Sequence, residues 1–205
     1  MSTSAALQTC PCQINPASET ATAPLLYKDC CQPYHDSVLN KEMNKEMNKE
    51  VNKEVNKEVN KEADKTDGVQ AETAERLMRT RYSAFVLIKP EYIVKTTLPA
   101  QQSLLDVTAI EEWATKTDWA GLEVVEHRAK LGKRHAQVEF KAYFRTPDGL
   151  QAHHELSAFV KVVSKAHHDT RWYFLDPTVP MSVAQKQPCI CGSGEKFKRC
   201  CGLYS

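Results

Sequence analysis

The sequence predicts an α+β protein in which helices pack on one face of a curved antiparallel sheet, with a small metal knuckle at each end. Three observations carry this reading. Apolar residues recur at helical spacing up to about residue 120 and alternate strand-fashion after Gly121. Helices first and strands afterwards is the order of an α+β domain. Eight cysteines form two groups, Cys10, Cys12, Cys30 and Cys31 near the start and Cys189, Cys191, Cys200 and Cys201 near the end, with none between them.

Each group offers a C-x-C pair followed by a C-C pair, the four soft ligands that a structural zinc ion takes in a tetrahedron. Disulfides compete with this reading. The two cysteines of a C-x-C or C-C pair sit too close for relaxed disulfide geometry, so bridges would have to join different pairs. Met1 to Thr9 carries no basic residue and no signal-like apolar run, and no stretch of about 18 apolar residues occurs to span a bilayer. A cytoplasmic setting is therefore expected, where thiols stay reduced. One Zn2+ at each cluster is the expectation, although four thiolates also bind iron.

With 27 basic and 26 acidic residues the formal charge is +1. That balance argues against a general pull toward nucleic acid or anionic lipid, and no membrane or sequence-specific nucleic-acid partner is expected.

Between the clusters comes a tandem repeat, Asn-Lys-Glu with Met or Val last, from Asn40 to Ala63. A helix turns in 3.6 residues, so a period of four walks its apolar stripe about 40° per repeat around the axis. No seven-residue repeat is present for a coiled coil. The segment reads as an inserted spacer, a solvated helix or disorder, because loop closure costs rise slowly with length. Globular sequence starts near Ala71. A helix is predicted over 74–88 from the spacing of Leu77, Arg81, Ala84 and Ile88, a short one over 91–97, and a third over about 106–118 with Ile110, Trp113, Ala114 and Thr117 on one face.

Strands are predicted over 122–130, 135–145, 151–163 and 171–176, a four-stranded meander. In the second, Ala136, Val138, Phe140, Ala142 and Phe144 share a side, and Thr146-Pro147-Asp148-Gly149 is a turn into the third. The chain divides into 1–36 (first knuckle), 37–70 (repeat insert), 71–180 (α+β domain) and 181–205 (second knuckle).

The C-terminal cluster is the more specific signal. Cys189-Ile190-Cys191-Gly192-Ser193-Gly194 precedes Cys200-Cys201, with glycines free to take positive φ in a tight knuckle, and Lys196, Lys198 and Arg199 lie beside a centre that four thiolates leave negative. This resembles the SEC-C motif found at the tail of the SecA translocation ATPase. The N-terminal group lacks Gly-Ser-Gly, having Gln13-Ile14-Asn15, and seventeen residues separate Cys12 from Cys30 where eight separate Cys191 from Cys200. The longer loop costs only about half a kcal/mol in closure.

Together with Cys30-Cys31-Gln32-Pro33-Tyr34-His35, Leu77 to Phe85, Trp119 to Leu122, Glu126-His127 and Trp172 to Asp176, the paired clusters resemble the YchJ-like family. The resemblance implies a middle domain of the nuclear transport factor two-like, cystatin-like fold and little specific chemistry. The SecA likeness implies an adaptor whose knuckle docks on a protein or ribosomal partner through Lys196, Phe197, Lys198 and Arg199. The alternative is a pocket protein. Such a cone encloses a space between helices and sheet, where Arg81, Tyr82, His127 and Glu155 would form a ligand-orienting or acid/base cluster if the face carrying His153, Glu155, Ser157 and Phe159 points inward. The plainer reading of that cluster is a buried polar network or salt bridge, Arg81 with Glu155 or Asp176. His35 could add a nitrogen beside Cys31, but four cysteines already fill a tetrahedron, and His167-His168 reads as a solvated loop. No phosphate loop, nucleophile elbow or H-E-x-x-H is present, so no catalytic residue is named.

Overall fold

The computed structural model describes residues 8–18, 23–39, 69–163, 170–179 and 182–204. The tandem repeat at 40–63 and His167-His168 lie outside these. A helix at 32–39 (α1) follows the first knuckle directly. The central domain opens with α2 (Ala74–Val86), capped by the Thr73 hydroxyl, which accepts from the Arg76 N–H. Next come α3 (Pro90–Thr96), α4 (Pro99–Gln102) and α5 (Val107–Lys116). Pro90 and Pro99 each start a helix, where a missing N–H costs nothing. The carboxylate of Asp106 caps α5 by accepting from Ala109 N. The predicted helices are present, the first and third slightly shorter than their apolar patterns and the second begun one residue earlier at Pro90, and α4 had no pattern long enough to signal it.

Four strands follow, β1 (Asp118–Leu131), β2 (His135–Thr146), β3 (Gly149–Val163) and β4 (Thr170–Leu175). They form one antiparallel sheet in sequence order. Register pairs Ala136 with Phe159, Val138 with Ser157, Phe140 with Glu155 and Ala142 with His153, so these residues share the concave face toward α2. Bulges in β1, between Val124 and Glu126 and between Arg128 and Leu131, help it curve around the helices.

Each face of β3 meets a different partner. Phe159 faces the main core with Leu77, Met78, Tyr82 and the first cysteine group, whereas Ala158 and Val160 face the second cysteine group with Leu98, Leu175 and Phe197. Ser157, Ala158, Phe159 and Val160 are therefore buried in succession.

Candidate functional site

The two knuckles are built on one frame. In the first, the Cys10 N–H donates to Leu25 O and the Tyr27 N–H to Gln8 O, at 2.8 and 2.9 Å. In the second, Cys189 donates to Glu195 O and Phe197 to Gln187 O, both at 2.8 Å. Each then makes a single 3-10 turn, Tyr27–Asp29 or Phe197–Arg199, that delivers the C-C pair. Tyr27 and Phe197 are the matching plugs, each 6% exposed. Phe197 is thus an internal packing residue, which corrects its assignment to a docking surface. Lys196, Lys198 and Arg199 are exposed around it.

Within each group the four Sγ atoms lie within 4.8 Å of one another and are buried. A tetrahedron with metal–sulfur bonds of about 2.3 Å has edges of about 3.8 Å. The observed Sγ separations match: 3.6 Å for Cys10–Cys12, 3.5 Å for Cys12–Cys30 and Cys12–Cys31, 3.9 Å for Cys30–Cys31, 3.6 Å for Cys189–Cys191 and 3.5 Å for Cys191–Cys200. All eight cysteines are free.

Crowded thiols cannot all ionise unaided. Contacts from Cys10, Cys12 and Cys31 hold Cys30 far below the ordinary thiol range, while contacts with Cys10, Cys12 and Cys30 push Cys31 far above it. In the second group, hydrogen bonding by Cys201 and by Ser193 brings Cys191 down to about 4, and burial pushes Cys200 up to about 11. A divalent cation resolves that conflict, since its charge favours the thiolate at every ligand.

The surroundings of the groups differ. The first leans on α2: the Ser83 hydroxyl donates to Cys31 Sγ at 3.3 Å, Arg76 Nη1 to Cys30 Sγ at 3.7 Å, and Arg79 Nη1 to the Cys12 carbonyl at 3.1 Å. Gly121 lets the chain leaving this group cross β1, since a Cβ there would stand 2.4 Å from Pro16 Cδ and 2.6 Å from the Ile14 carbonyl oxygen. The second turns on its own glycines, Gly192 and Gly194 at φ 73° and 78°. It meets the sheet through His135, whose Nε2 is 3.5 Å from Cys201 Sγ and whose ring lies against Tyr204.

Sequence reasoning missed Ser83, Arg76 and His135. A small hydroxyl and an arginine on an amphipathic helix, and a histidine at a strand end, carry no signal until the fold places sulfur beside them. His35 is no ligand. Its Nδ1 accepts from the Tyr27 hydroxyl at 2.7 Å and its Nε2 donates to Thr80 O at 2.9 Å, and burial takes its pKa down to about 4.

A cavity of about 540 Å³ lies between α2, α5 and the concave sheet. Tyr82, Phe85, Trp113, Trp119, Phe140 and Phe159 form much of its wall. Arg81, Tyr82 and Glu155 all line it, with His153 and Asp176. His127 does not. It lies farther along β1, where its Nδ1 is 3.4 Å from Glu75 Oε2 on the first turn of α2. The bulge after Val124 and the paired position Val138 place it toward that end of the helix.

Arg81 forms no ion pair with Glu155 or Asp176 among the described residues, contrary to the salt bridge expected. Its Nη1 donates to the Ile93 carbonyl and to the hydroxyls of Thr96 and Thr97, at 2.8, 2.8 and 3.2 Å, and its guanidinium stacks on Phe174. Burial lowers its pKa to about 10, and Asp176 opposes that shift from a distance. Glu155 is held by its own strand, accepting from the Ser157 hydroxyl and from His153.

Comparison with known proteins agrees with this layout. Residues 73–177 match the model of the middle nuclear transport factor two-like domain of YchJ, and residues 2–39 that of the N-terminal zinc binding domain of YchJ family proteins. The chain belongs to the YchJ family. Residues 186–203 match the SEC-C motif. A UPF0225 protein from Actinobacillus succinogenes is 40% identical over 95% of this chain and 97% of its own length. The crystal structure of a SEC-C motif containing protein from Psychrobacter arcticus is 66% identical, with a TM-score of 0.84 over 98% of this chain and 99% of that one. The solution structure of a SEC-C motif containing protein from Rhodopseudomonas palustris is 28% identical, with a TM-score of 0.50 over 75% of this chain and 91% of that one. No described helix of this YchJ-family chain is long and apolar enough to cross a membrane.

Proposed function

We propose that this YchJ-family protein binds a small molecule in its central cavity, and that two zinc ions, one at each cysteine group, act as structural staples in a reducing cytoplasm. The observation that carries the reading is the cavity: about 540 Å³ of largely apolar wall with a few polar groups held in place, the usual form of a ligand site. Both metal groups are buried and closed, with four protein ligands each and no open position for substrate, as structural zinc requires. The test uses a neutral apolar fluorophore, N-phenyl-naphthylamine, whose emission rises in apolar surroundings. Ala109→Trp puts an indole into the cavity mouth from an exposed position on α5 and is expected to abolish the rise, with two metal ions per chain retained. Unchanged fluorescence with the substituted chain would set this reading aside.

A second reading, a docking adaptor for a protein or ribosomal partner, is favoured by the exposure of Lys196, Lys198 and Arg199 on the second knuckle. Under it, replacing the three by alanine abolishes a salt-sensitive partner interaction and leaves fluorophore binding intact.

A further inference from the structure

We infer that the cavity selects an uncharged, ring-bearing ligand that presents a carbonyl-type acceptor to Arg81. This deepens the reading of the cavity as a ligand site and rests on it. Four observations combine. Arg81 is 8% exposed and lines the cavity, yet all three of its hydrogen bonds leave from Nη1. Nε and Nη2, the side-on fork of a guanidinium, donate to no protein acceptor among the described residues. The lining carboxylates are supplied with donors from the protein: Glu155 by Ser157 and His153, Asp176 by the N–H and hydroxyl of Thr178, and Asp106 by the Ala109 N–H. The wall between them is mainly aromatic.

Charge then decides the class. One guanidinium faces three carboxylates, Asp106, Glu155 and Asp176, around the same apolar space. An anionic ligand would answer Arg81 but add a fourth negative charge to a wall that already carries three. A cationic ligand would be drawn by the three carboxylates, but those already have donors, and it would leave the Arg81 donors unmet and place a second positive charge beside them. A neutral acceptor meets the open donors without altering the count, and flat rings suit the faces of Phe85, Trp113 and Trp119.

Four naphthalenes of similar size separate these possibilities on the unaltered full-length chain, each competing with N-phenyl-naphthylamine: the methyl ketone, the ethyl derivative, the carboxylate and the aminomethyl cation. The ketone is expected to bind about tenfold more tightly than the ethyl compound, the size of one hydrogen bond to a charged group, and to exceed both ions by at least as much. Arg81→Met should erase the ketone's advantage over ethylnaphthalene; if that variant fails to fold, the four ligands alone still decide. Equal affinity for ketone and ethyl compound overturns the acceptor role of Arg81. Tightest binding by the carboxylate or the cation overturns the charge argument and leaves the cavity as a ligand site. No binding by the fluorophore or any naphthalene removes the ligand site itself.

Discussion

The two cysteine groups share a backbone frame and differ in what completes them. The second closes on itself: two glycines at positive φ turn the loop, and the sheet meets it with the apolar Ala158 and Val160 and with the His135 ring near sulfur. The first has a long loop without that glycine pair and, beside its own Gln13, draws donors from α2, with Ser83 and Arg76 at sulfur and Arg79 at the Cys12 carbonyl. A four-sulfur centre can thus be supported by local backbone or by a neighbouring helix, and the choice decides what else depends on it. Tyr82 and Met78, on that same helix, also line the cavity.

The sharpest way to break this comparison is to remove one ligand from each group. Cys31→Ser is expected to release one metal ion and cost more than about 4 kcal/mol, because it loosens the packing around α2. Cys201→Ser should also release one ion but cost roughly half as much, leaving the first group and the cavity intact. Metal analysis with urea unfolding reads both, and equal losses would mean that the two groups depend on the domain alike.

Acid offers the next test. His35 sits behind the first group, fully buried and neutral, with its pKa lowered from 6.5 to about 4 by burial. Between those values the unfolded chain holds more protons than the folded one, so stability rises with pH there; it is fully present above about 6.5 and is lost as pH falls through about 4. The loss is on the order of 3 kcal/mol. The His35→Gln variant should be less stable at pH 7 yet show a flatter pH dependence over this window. An equally steep profile would take His35 out of the account.

The smallest effect concerns the approach of the first knuckle to β1. Gly121→Ala meets Pro16 and Ile14 at distances that no Cβ tolerates, with a cost of about 2 kcal/mol. Metal affinity should fall at the first group alone, as read by chelator competition. A matching fall at the second would mean that the clash spreads through the sheet.

Much of this was legible in the chain itself. The meander was readable because Ala136 to Phe144 alternate cleanly and Thr146 to Gly149 break them, and those positions do form β2 and the turn into β3. Spacing alone also grouped the cysteines as the fold does. What stayed hidden depended on contacts between distant parts. On β3, His153, Glu155, Ser157 and Phe159 alternate with His154, Leu156, Ala158 and Val160, and the more apolar second set is the one that faces away from the cavity. Only the second knuckle, covering Ala158 and Val160 from outside, explains this. His127 was misplaced beside Glu155 because β2 stands between their strands and pairs His127 with Val138, two positions from Phe140, the partner of Glu155, and strand register is not written in an alternating pattern. Phe197 looked like a contact residue because cations flank it, and the frame it shares with Tyr27 shows it to be a plug.

The doubly covered run Ser157 to Val160 has a consequence for how the protein can vary over time. An ordinary half-exposed strand keeps every second position free to drift. Here four adjacent positions answer alternately to the cavity side and to the sulfur-bound tail, so a new ligand preference cannot be tuned at this wall without unsettling its other tenant. Diversification among relatives should therefore run along the helices that roof the cavity, leaving the shared partition as the inherited constant.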